Sequence, residues 1–178
     1  DFAYLRHIPN MTVLAPANEE ELRLMTRASC TFDGPCSIRY PKSAVSLPEE
    51  YTVPSFTIGK WLILREGNDA VMLAVGSMVS TALRVADALS PNGISITVVN
   101  ASTVKPLDSD CLRRAFSMGK PVFTLEEHIR MAGFGSAVLE AAAEMDFQPR
   151  VKLLAVNDCF VPHGDHAHLL RDTGLDDE

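Results

Sequence analysis

The stretch Ala70-Val71-Met72-Leu73-Ala74-Val75-Gly76-Ser77 decides the fold class of this chain. Six consecutive apolar residues, ended by a glycine and a serine, are typical of a strand that is buried on both faces. The residues that follow, up to about residue 89, are predicted to form a helix. A buried strand that runs directly into a helix predicts one unit of a parallel α/β sheet.

Strand and helix signals alternate on both sides of this stretch. In the second part of the chain we predict strands at residues 61–65, 94–99, 121–126 and 151–156, and helices at residues 108–116, 135–145 and 166–172. The first part has the end of a helix at residues 1–6, short strands at residues 11–14 and 37–40, and a helix between them. Asn18, Asp108 and Asp165 stand at or near the expected N-caps. The alternation predicts an α/β fold with a mostly parallel sheet covered by helices.

Residues 43–56 interrupt this pattern. Pro48, Glu49, Glu50 and Pro54 lie in a run with little periodicity, which is typical of a linker. We therefore predict that residues 1–43 end one α/β domain, that residues 44–58 are a linker and that residues 59–178 form a second domain. One long surface loop inside a single domain is the alternative. Because the chain lacks an initiator methionine and its first residues are already periodic, we expect a fragment of a longer protein.

The composition is that of an ordinary globular protein. The 16 Lys and Arg residues stand against 23 Asp and Glu, and the formal net charge of −7 argues against a nucleic-acid partner, because phosphate backbones need clustered cations. No apolar run approaches the ~20 residues of a membrane span, so no membrane partner is expected. The four cysteines lack Cys-x-x-Cys spacing and are predicted to be small buried residues in a reducing compartment.

Two candidate sites concern anion or metal binding. A strand that runs into Gly76-Ser77 at a helix N-terminus could hold an anion, or the pair could only make a turn and a cap. His163, His166 and His168, with Asp165, could bind a transition metal. Because His166 and His168 diverge on a helix, a solvated loop leading into a helix is the favoured interpretation, and no metal site is predicted.

Glu126-Glu127-His128 and Arg39-Tyr40-Pro41-Lys42 are the other two candidates. The first follows a strand end, where either an acid–base pair or a salt-linked surface turn could form. The second places two cations three residues apart at a strand end, where they could bind a phosphate or carboxylate, or could remain solvated. No nucleophile with a paired base is visible, so no catalytic residue is assigned.

Several short motifs occur in an order that resembles one enzyme family. They are Asp1-Phe2-Ala3-Tyr4-Leu5-Arg6, Ile8-Pro9-Asn10-Met11, Asp33-Gly34-Pro35 with Arg39-Tyr40-Pro41, Val104-Lys105-Pro106-Leu107-Asp108, Leu125-Glu126-Glu127, Gly133-x-Gly135-Ser136 and Phe160-Val161-Pro162-His163-Gly164. Along the whole chain they are similar to the 1-deoxy-D-xylulose-5-phosphate synthases of the thiamine-diphosphate-dependent transketolase superfamily. The resemblance implies that residues 1–43 end a pyrimidine-binding domain and that residues 59–178 are a transketolase C-terminal domain.

The resemblance also implies an activity. Members of this family are homodimers that condense pyruvate with glyceraldehyde 3-phosphate and release carbon dioxide, for isoprenoid, thiamine and pyridoxal synthesis. They work in the cytoplasm, or in the plastid of a plastid-bearing eukaryote. Their thiamine diphosphate and Mg²⁺ are held by a Gly-Asp-Gly…Asn motif, and this motif and the active-site Glu and His residues lie before the segment that matches Asp1. The chain alone is therefore expected to be inactive and to bind neither cofactor.

One short motif carries the family's substrate contact. In Arg-Tyr-Pro-Arg-Gly the second cation contacts the phosphate of glyceraldehyde 3-phosphate, so the resemblance makes Lys42, together with Arg39, the substrate-binding candidates. Lys42 and Ser43 replace the family's Arg and Gly, and a lysine binds phosphate as a point charge without the bidentate geometry of a guanidinium. Residues 126–128 and 163–168 are then expected to have structural roles.

Two other interpretations stay open. The chain could be a non-catalytic transketolase-type module that serves assembly, or regulation by an anion at Gly76-Ser77. It could also be the tail of a transketolase or of a 2-oxo-acid dehydrogenase β subunit. A Gly-Asp-Gly motif upstream in the gene would identify the synthase, whereas a start codon close to Asp1 would identify the module.

Overall fold

The computed structural model of this chain describes residues 1–42, 47–48 and 51–176. In this part of the chain the strands are β1 (Thr12–Leu14), β2 (Cys36–Ile38), β3 (Leu62–Arg65), β4 (Ala70–Ala74), β5 (Ile96–Asn100), β6 (Thr103–Lys105), β7 (Val122–Ile129) and β8 (Val151–Val156). The helices are α1 (Phe2–Arg6), α2 (Glu19–Thr31), α3 (Met78–Leu89), α4 (Ser109–Ser117), α5 (Phe134–Glu144) and α6 (His166–Thr173), with a 3₁₀ turn at Ser90–Asn92.

The larger sheet has five strands in the order β3-β5-β4-β7-β8. Strands β5, β4, β7 and β8 run parallel to their neighbours, and β3 pairs antiparallel with β5 at one edge. The stretch that predicts the fold class, β4, lies at the centre of this sheet and is buried along its whole length. The predicted mostly parallel α/β sheet is therefore confirmed.

The sheet is covered on both faces. Successive residues of β4 point to opposite faces, so Val71 and Leu73 enter one apolar cluster, while Ala70 and Met72 enter the other. The first cluster includes Phe134 of α5 and side chains of α4, and the second is built mainly on α3. Helices on both faces explain why the strands read as continuous apolar runs rather than as alternating patterns.

The smaller sheet joins the first residues of the chain to a later segment. It has the order β2-β1-β6, with β1 parallel to β2 and antiparallel to β6. Val13 lies opposite Lys105, and Leu14 lies opposite Thr103. The sequence did not predict β6, because three residues give too short a pattern to identify a strand.

The predicted helix caps are confirmed. The side chain of Asn18 accepts a hydrogen bond from the backbone N–H of Glu21, and Asp108 accepts from Asp110 and Cys111. Asp165 accepts from Ala167 at the start of α6. Each cap satisfies backbone donors that the first turn of a helix leaves unpaired.

The structure also bears on the predictions for the cysteines, the linker and membrane spans. The prediction that the cysteines are buried is wrong: Cys30 and Cys159 are exposed, and Cys36 and Cys111 are only partly buried. Cys30 lies on the solvent side of α2, and Cys159 lies in the loop after β8. The predicted linker at residues 44–58 falls partly outside the described residues. Among its described residues, 47–48 and 51–58, Val53 is buried. No helix in the described part of the chain has the length and apolar character needed to cross a membrane.

Candidate functional site

The Arg39-Tyr40-Pro41-Lys42 segment begins where the smaller sheet ends. The backbone N–H of Arg39 donates to the carbonyl of Leu14 at 2.8 Å, which extends the pairing of β2 with β1 by one residue. Pro41 has no backbone N–H and cannot continue such a ladder. The chain therefore leaves the sheet at this point and carries Lys42 beyond its edge.

The Arg39 guanidinium is engaged within the protein. Its Nη2 donates to the carbonyl oxygen of Glu127 at 2.9 Å, and its Cζ lies 5.4 Å from the ring centroid of Phe2. Its Nε is 4.0 Å from a carboxylate oxygen of Asp1. Arg39 thus links α1 and β2 to β7. These contacts fix the start of the segment that ends in Lys42.

Lys42 has no hydrogen bond or ion pair within the described residues. It is exposed and lines an open pocket of about 440 Å³ together with Pro41, Glu127 and His166. Lysines on a protein surface commonly point into water, but this one borders a concave space that also contains a histidine and a carboxylate. Of the two cations that the sequence singles out, Lys42 is the one at the pocket.

Glu127 and His166 also line this pocket, and the sequence did not predict that these two residues meet there. Nε2 of His166 lies 2.8 Å from Oε1 of Glu127, and the side chains are 44% and 14% exposed. Glu127 belongs to β7, whereas His166 is the first residue of α6, 39 positions later. The available signal was the position of Glu127 near the carboxyl end of a parallel strand, where α/β proteins place ligands.

Glu126 does not belong to an open acid–base site. It is fully buried, and its carboxylate accepts hydrogen bonds from the backbone N–H groups of Phe134 at 2.6 Å and Gly135 at 2.8 Å. Burial raises the pKa of Glu126 to about 7, against the opposing effect of these two hydrogen bonds. Glu126 therefore acts as a cap for the N-terminus of α5, which agrees with the structural role that the sequence led us to expect.

His128 lies beside this cap. Its Nδ1 is 4.0 Å from a carboxylate oxygen of Glu126, and its ring stacks on Phe2 with a centroid distance of 5.4 Å. Burial lowers the pKa of His128. The imidazole thus helps to close the contact between α1 and β7, and it does not face the pocket that Lys42 lines.

Gly76-Ser77 is covered by the first part of the chain. A methyl group placed on Gly76 would lie 3.6 Å from the carbonyl oxygen of Pro16 and 3.7 Å from Cβ of Ala15. Ser77 is buried, and its hydroxyl has no hydrogen-bond partner among the described residues. Because this segment occupies the space in front of the N-terminus of α3, the anion site of the alternative interpretation is not supported.

The histidines near the C-terminus have separate partners. His166 pairs with Glu127, while Nδ1 of His168 lies 3.6 Å from Asp165, the cap of its own helix. Within the part of the chain that the structure describes, no group of three or more His, Cys, Asp or Glu side chains could hold a metal ion. These residues do not fit a Mg²⁺ site, so no step through thiamine diphosphate and magnesium is derived from them.

Family comparisons agree with this architecture. Residues 59–178 match the family model of the transketolase C-terminal domain, and residues 1–48 match that of the transketolase pyrimidine-binding domain. The chain belongs to the transketolase family. The match to a transketolase pyrimidine-binding domain implies a thiamine-diphosphate-dependent family.

Curated relatives of this transketolase-family chain share one name. The 1-deoxy-D-xylulose-5-phosphate synthase of Thermus thermophilus is 43% identical over 178 residues, covering all of this chain and 28% of the relative. Synthase 1 of Geobacter sulfurreducens is 41% identical over 99% of the chain, and the enzyme of Lysinibacillus sphaericus is 39% identical over 97%. Each of these matches also covers 28% of the relative, so the chain spans less than a third of the length of these relatives.

A solved structure shares the fold. It is named as a split gene transketolase in an inactive β4 tetramer, and it superposes with a TM-score of 0.89 at 32% sequence identity. The match covers 99% of this chain and 57% of the other. The predicted transketolase C-terminal-type fold is confirmed by this agreement and by the family model.

Proposed function

We propose that this chain is the C-terminal part of a 1-deoxy-D-xylulose-5-phosphate synthase. The whole enzyme would condense pyruvate with glyceraldehyde 3-phosphate and release carbon dioxide, supplying isoprenoid, thiamine and pyridoxal synthesis. The observation that carries this proposal is the identity of 39–43% to enzymes of that name over 97–100% of the chain. A transketolase or a 2-oxo-acid dehydrogenase subunit is less favoured, because these relatives carry the synthase name.

The catalytic machinery is proposed to lie upstream of Asp1. The chain spans 28% of the relatives' length, and its described residues contain no cluster that fits Mg²⁺. We assign thiamine diphosphate and Mg²⁺ to the remaining part of the enzyme. A homodimer in the cytoplasm, or in a plastid for a plastid-bearing eukaryote, is proposed on the same resemblance.

Lys42 is proposed to contact the phosphate of glyceraldehyde 3-phosphate. The side chain lacks a partner within the described residues and borders an open pocket, which leaves its charge available to an anion. Arg39 is proposed to support substrate binding by fixing this segment, since its guanidinium already contacts Glu127, Phe2 and Asp1. In this proposal Lys42 contacts the phosphate directly, whereas Arg39 holds the segment that contains Lys42 in position.

The activity is tested by comparing two proteins. The 178-residue chain and the full-length product of its gene are incubated with pyruvate, glyceraldehyde 3-phosphate, thiamine diphosphate and magnesium, and carbon dioxide release is measured. We expect release only from the longer protein and only with both substrates present. Transfer of a two-carbon unit from a ketose phosphate to glyceraldehyde 3-phosphate, without pyruvate and without carbon dioxide release, would identify a transketolase and contradict the proposal.

The role of Lys42 is tested in the full-length enzyme. A hydrogen bond to a charged group contributes roughly 1.5–3 kcal/mol, so Lys42→Ala should raise the KM for glyceraldehyde 3-phosphate about ten- to a hundredfold. The KM for pyruvate should change much less, because pyruvate has no phosphate. Lys42→Arg should retain or improve the affinity. Lys152→Ala, at an exposed lysine of β8, is the matched control, and equal KM values in Lys42→Ala and the control would remove Lys42 from the site.

A further inference from the structure

The pocket beside Lys42 contains a second group that can donate to an anion. His166 lines this pocket, and only its Nε2 has a partner among the described residues, namely Oε1 of Glu127 at 2.8 Å. An ionised carboxylate only accepts hydrogen bonds, so Nε2 carries the hydrogen of this contact. Nδ1 of the same ring is left without a partner in the described part of the chain.

The described lining residues offer a bound anion little positive charge. Lys42 contributes one positive charge and Glu127 one negative charge, so with a neutral His166 these described residues have no net positive charge. A phosphate monoester carries up to two negative charges at neutral pH. Protonation of Nδ1 makes the lining positive and adds a donor, while Glu127 stabilises the imidazolium from its other nitrogen.

Glu127 and His166 are held by different elements of the fold. Glu127 is 14% exposed on β7, and its backbone carbonyl accepts from Arg39, the residue that begins the Lys42 segment. His166 is fixed at the first turn of α6, after the Asp165 cap, and the same ring borders a small apolar pocket of about 110 Å³ against Leu169 and Leu170. The pair thus has a defined orientation relative to Lys42.

We propose that His166, held by Glu127, is a second phosphate-binding residue that acts together with Lys42. This inference rests on the proposed function, since it assigns the ligand class of the same pocket as a phosphate monoester. His166 binds the anion through Nδ1–H, and Glu127 is a positioning residue that fixes the ring and supports its charge. Phosphate binding is accompanied by proton uptake at His166. Asp165, which precedes His166 in the sequence, is also charged; its side chain is 70% exposed and lies 3.6 Å from Nδ1 of His168.

The test follows the histidine rings during a phosphate titration. The 178-residue chain is labelled with ¹⁵N-histidine, and ring spectra are recorded near pH 7 with inorganic phosphate or glycerol 3-phosphate at constant ionic strength. We expect the ring ¹⁵N signals of His166 to shift towards those of a doubly protonated imidazole. Glycerol 3-phosphate should cause at least as large a shift as inorganic phosphate. His7 is the internal control: it is exposed, its ring contacts the carbonyl of Ala3 as its one polar partner among the described residues, and its ring signals should not shift.

Variants separate this inference from the proposed function. His166→Gln should weaken glycerol 3-phosphate binding about tenfold, as should Lys42→Ala, which should also abolish the His166 response. Glu127→Gln keeps an acceptor for Nε2 but loses the charge, so it should reduce protonation of His166 while the fold is retained. His7→Gln should bind like the unaltered chain.

Three outcomes would overturn the inference. A His166 ring that does not respond to phosphate excludes it, as does a response that is unchanged in Lys42→Ala. Binding that falls in Lys42→Ala but stays unchanged in His166→Gln removes His166 and leaves the proposed role of Lys42 intact. By contrast, failure of the proposed function itself would appear as absence of pyruvate-dependent carbon dioxide release by the full-length enzyme, which this titration does not measure.

Discussion

Asn100 donates its side-chain amide to both carboxylate oxygens of Glu21, at 2.9 and 3.0 Å. Glu21 lies in the first turn of α2 and Asn100 ends β5, so the contact joins positions 79 residues apart. Both side chains are essentially inaccessible to solvent. The backbone N–H of Ala17 donates to the same carboxylate at 2.7 Å. This buried group fixes the first part of the chain against the carboxyl end of the larger sheet.

Truncating Glu21 should destabilise the fold. Glu21→Ala leaves the N–H of Ala17 and the amide of Asn100 buried without their acceptor, and each unsatisfied group costs about 1–3 kcal/mol. We expect a decrease of about 3 kcal/mol in the free energy of unfolding, measured by urea denaturation. Glu20→Ala, at an exposed position of the same turn, should change it by less than ~0.5 kcal/mol. Equal effects of the two substitutions would contradict the role of Glu21.

Glu126 should make stability depend on pH. Its pKa in the folded protein is about 7, raised by burial from 4.5. The folded state therefore retains a proton that the unfolded state releases, and stability falls as pH rises from 4.5 through about 7. At ~1.4 kcal/mol per pKa unit, the free energy of unfolding should fall by about 3 kcal/mol over this range. The decrease should level off above about pH 7.

The comparison with Glu126→Gln isolates this carboxyl. His128, whose pKa is lowered by burial, changes stability in the opposite direction below about pH 6.5, and burial also raises the pKa of Glu21. The pH profile of the unaltered chain therefore combines several groups. The free energy of unfolding of the unaltered chain and of Glu126→Gln is measured by chemical denaturation from pH 5 to 8. As pH rises, the unaltered chain should lose stability relative to the variant, so that any advantage of the unaltered chain shrinks or the variant becomes the more stable of the two. A difference that is constant over this range would exclude the raised pKa of Glu126.

Gly133 permits the close approach of Glu126 to α5. A Cβ at this position would lie 2.4 Å from a carboxylate oxygen of Glu126, well inside contact distance. Gly133→Ala should therefore lower the free energy of unfolding by about 2 kcal/mol or more, because overpacking forces the carboxylate away from its two backbone donors. The variant Glu126→Ala removes the clashing atoms. In the double variant Gly133→Ala/Glu126→Ala, the loss of unfolding free energy caused by Gly133→Ala should largely disappear. Strictly additive losses from the two substitutions would show that the two residues do not interact.

Arg6 should contribute more to stability than an exposed arginine. Its side chain is 13% exposed and donates to the carbonyls of Ala132 and Gly133 at 2.8 and 2.9 Å, and to the carboxylate of Glu140. Arg6→Ala should lower the free energy of unfolding by about 2 kcal/mol, since the carbonyls of buried Gly133 and exposed Ala132 both lose a charged donor. The control is Arg23→Ala, which breaks an exposed pair with Glu19 and should cost at most ~0.5 kcal/mol. Thermal unfolding of the two variants measures the difference.

Local sequence determined the secondary structure and the class of the main sheet. The apolar runs of β4 and β5, the caps at Asn18 and Asp108, and the proline that ends the β2 segment act over a few neighbouring residues, so their effects are visible in the sequence. The same locality allowed Lys42 to be singled out as a cation at a strand end.

The tertiary structure decided which of these residues meet. The pairing of β1 with β6, the contact of Glu21 with Asn100 and the approach of His166 to Glu127 each join segments that are 39 or more residues apart. No periodicity encodes such contacts, because they depend on how whole strands and helices pack into one core. Lys42 could be identified from its motif, but its pocket with Glu127 and His166 exists only because α6 folds back onto the end of β7.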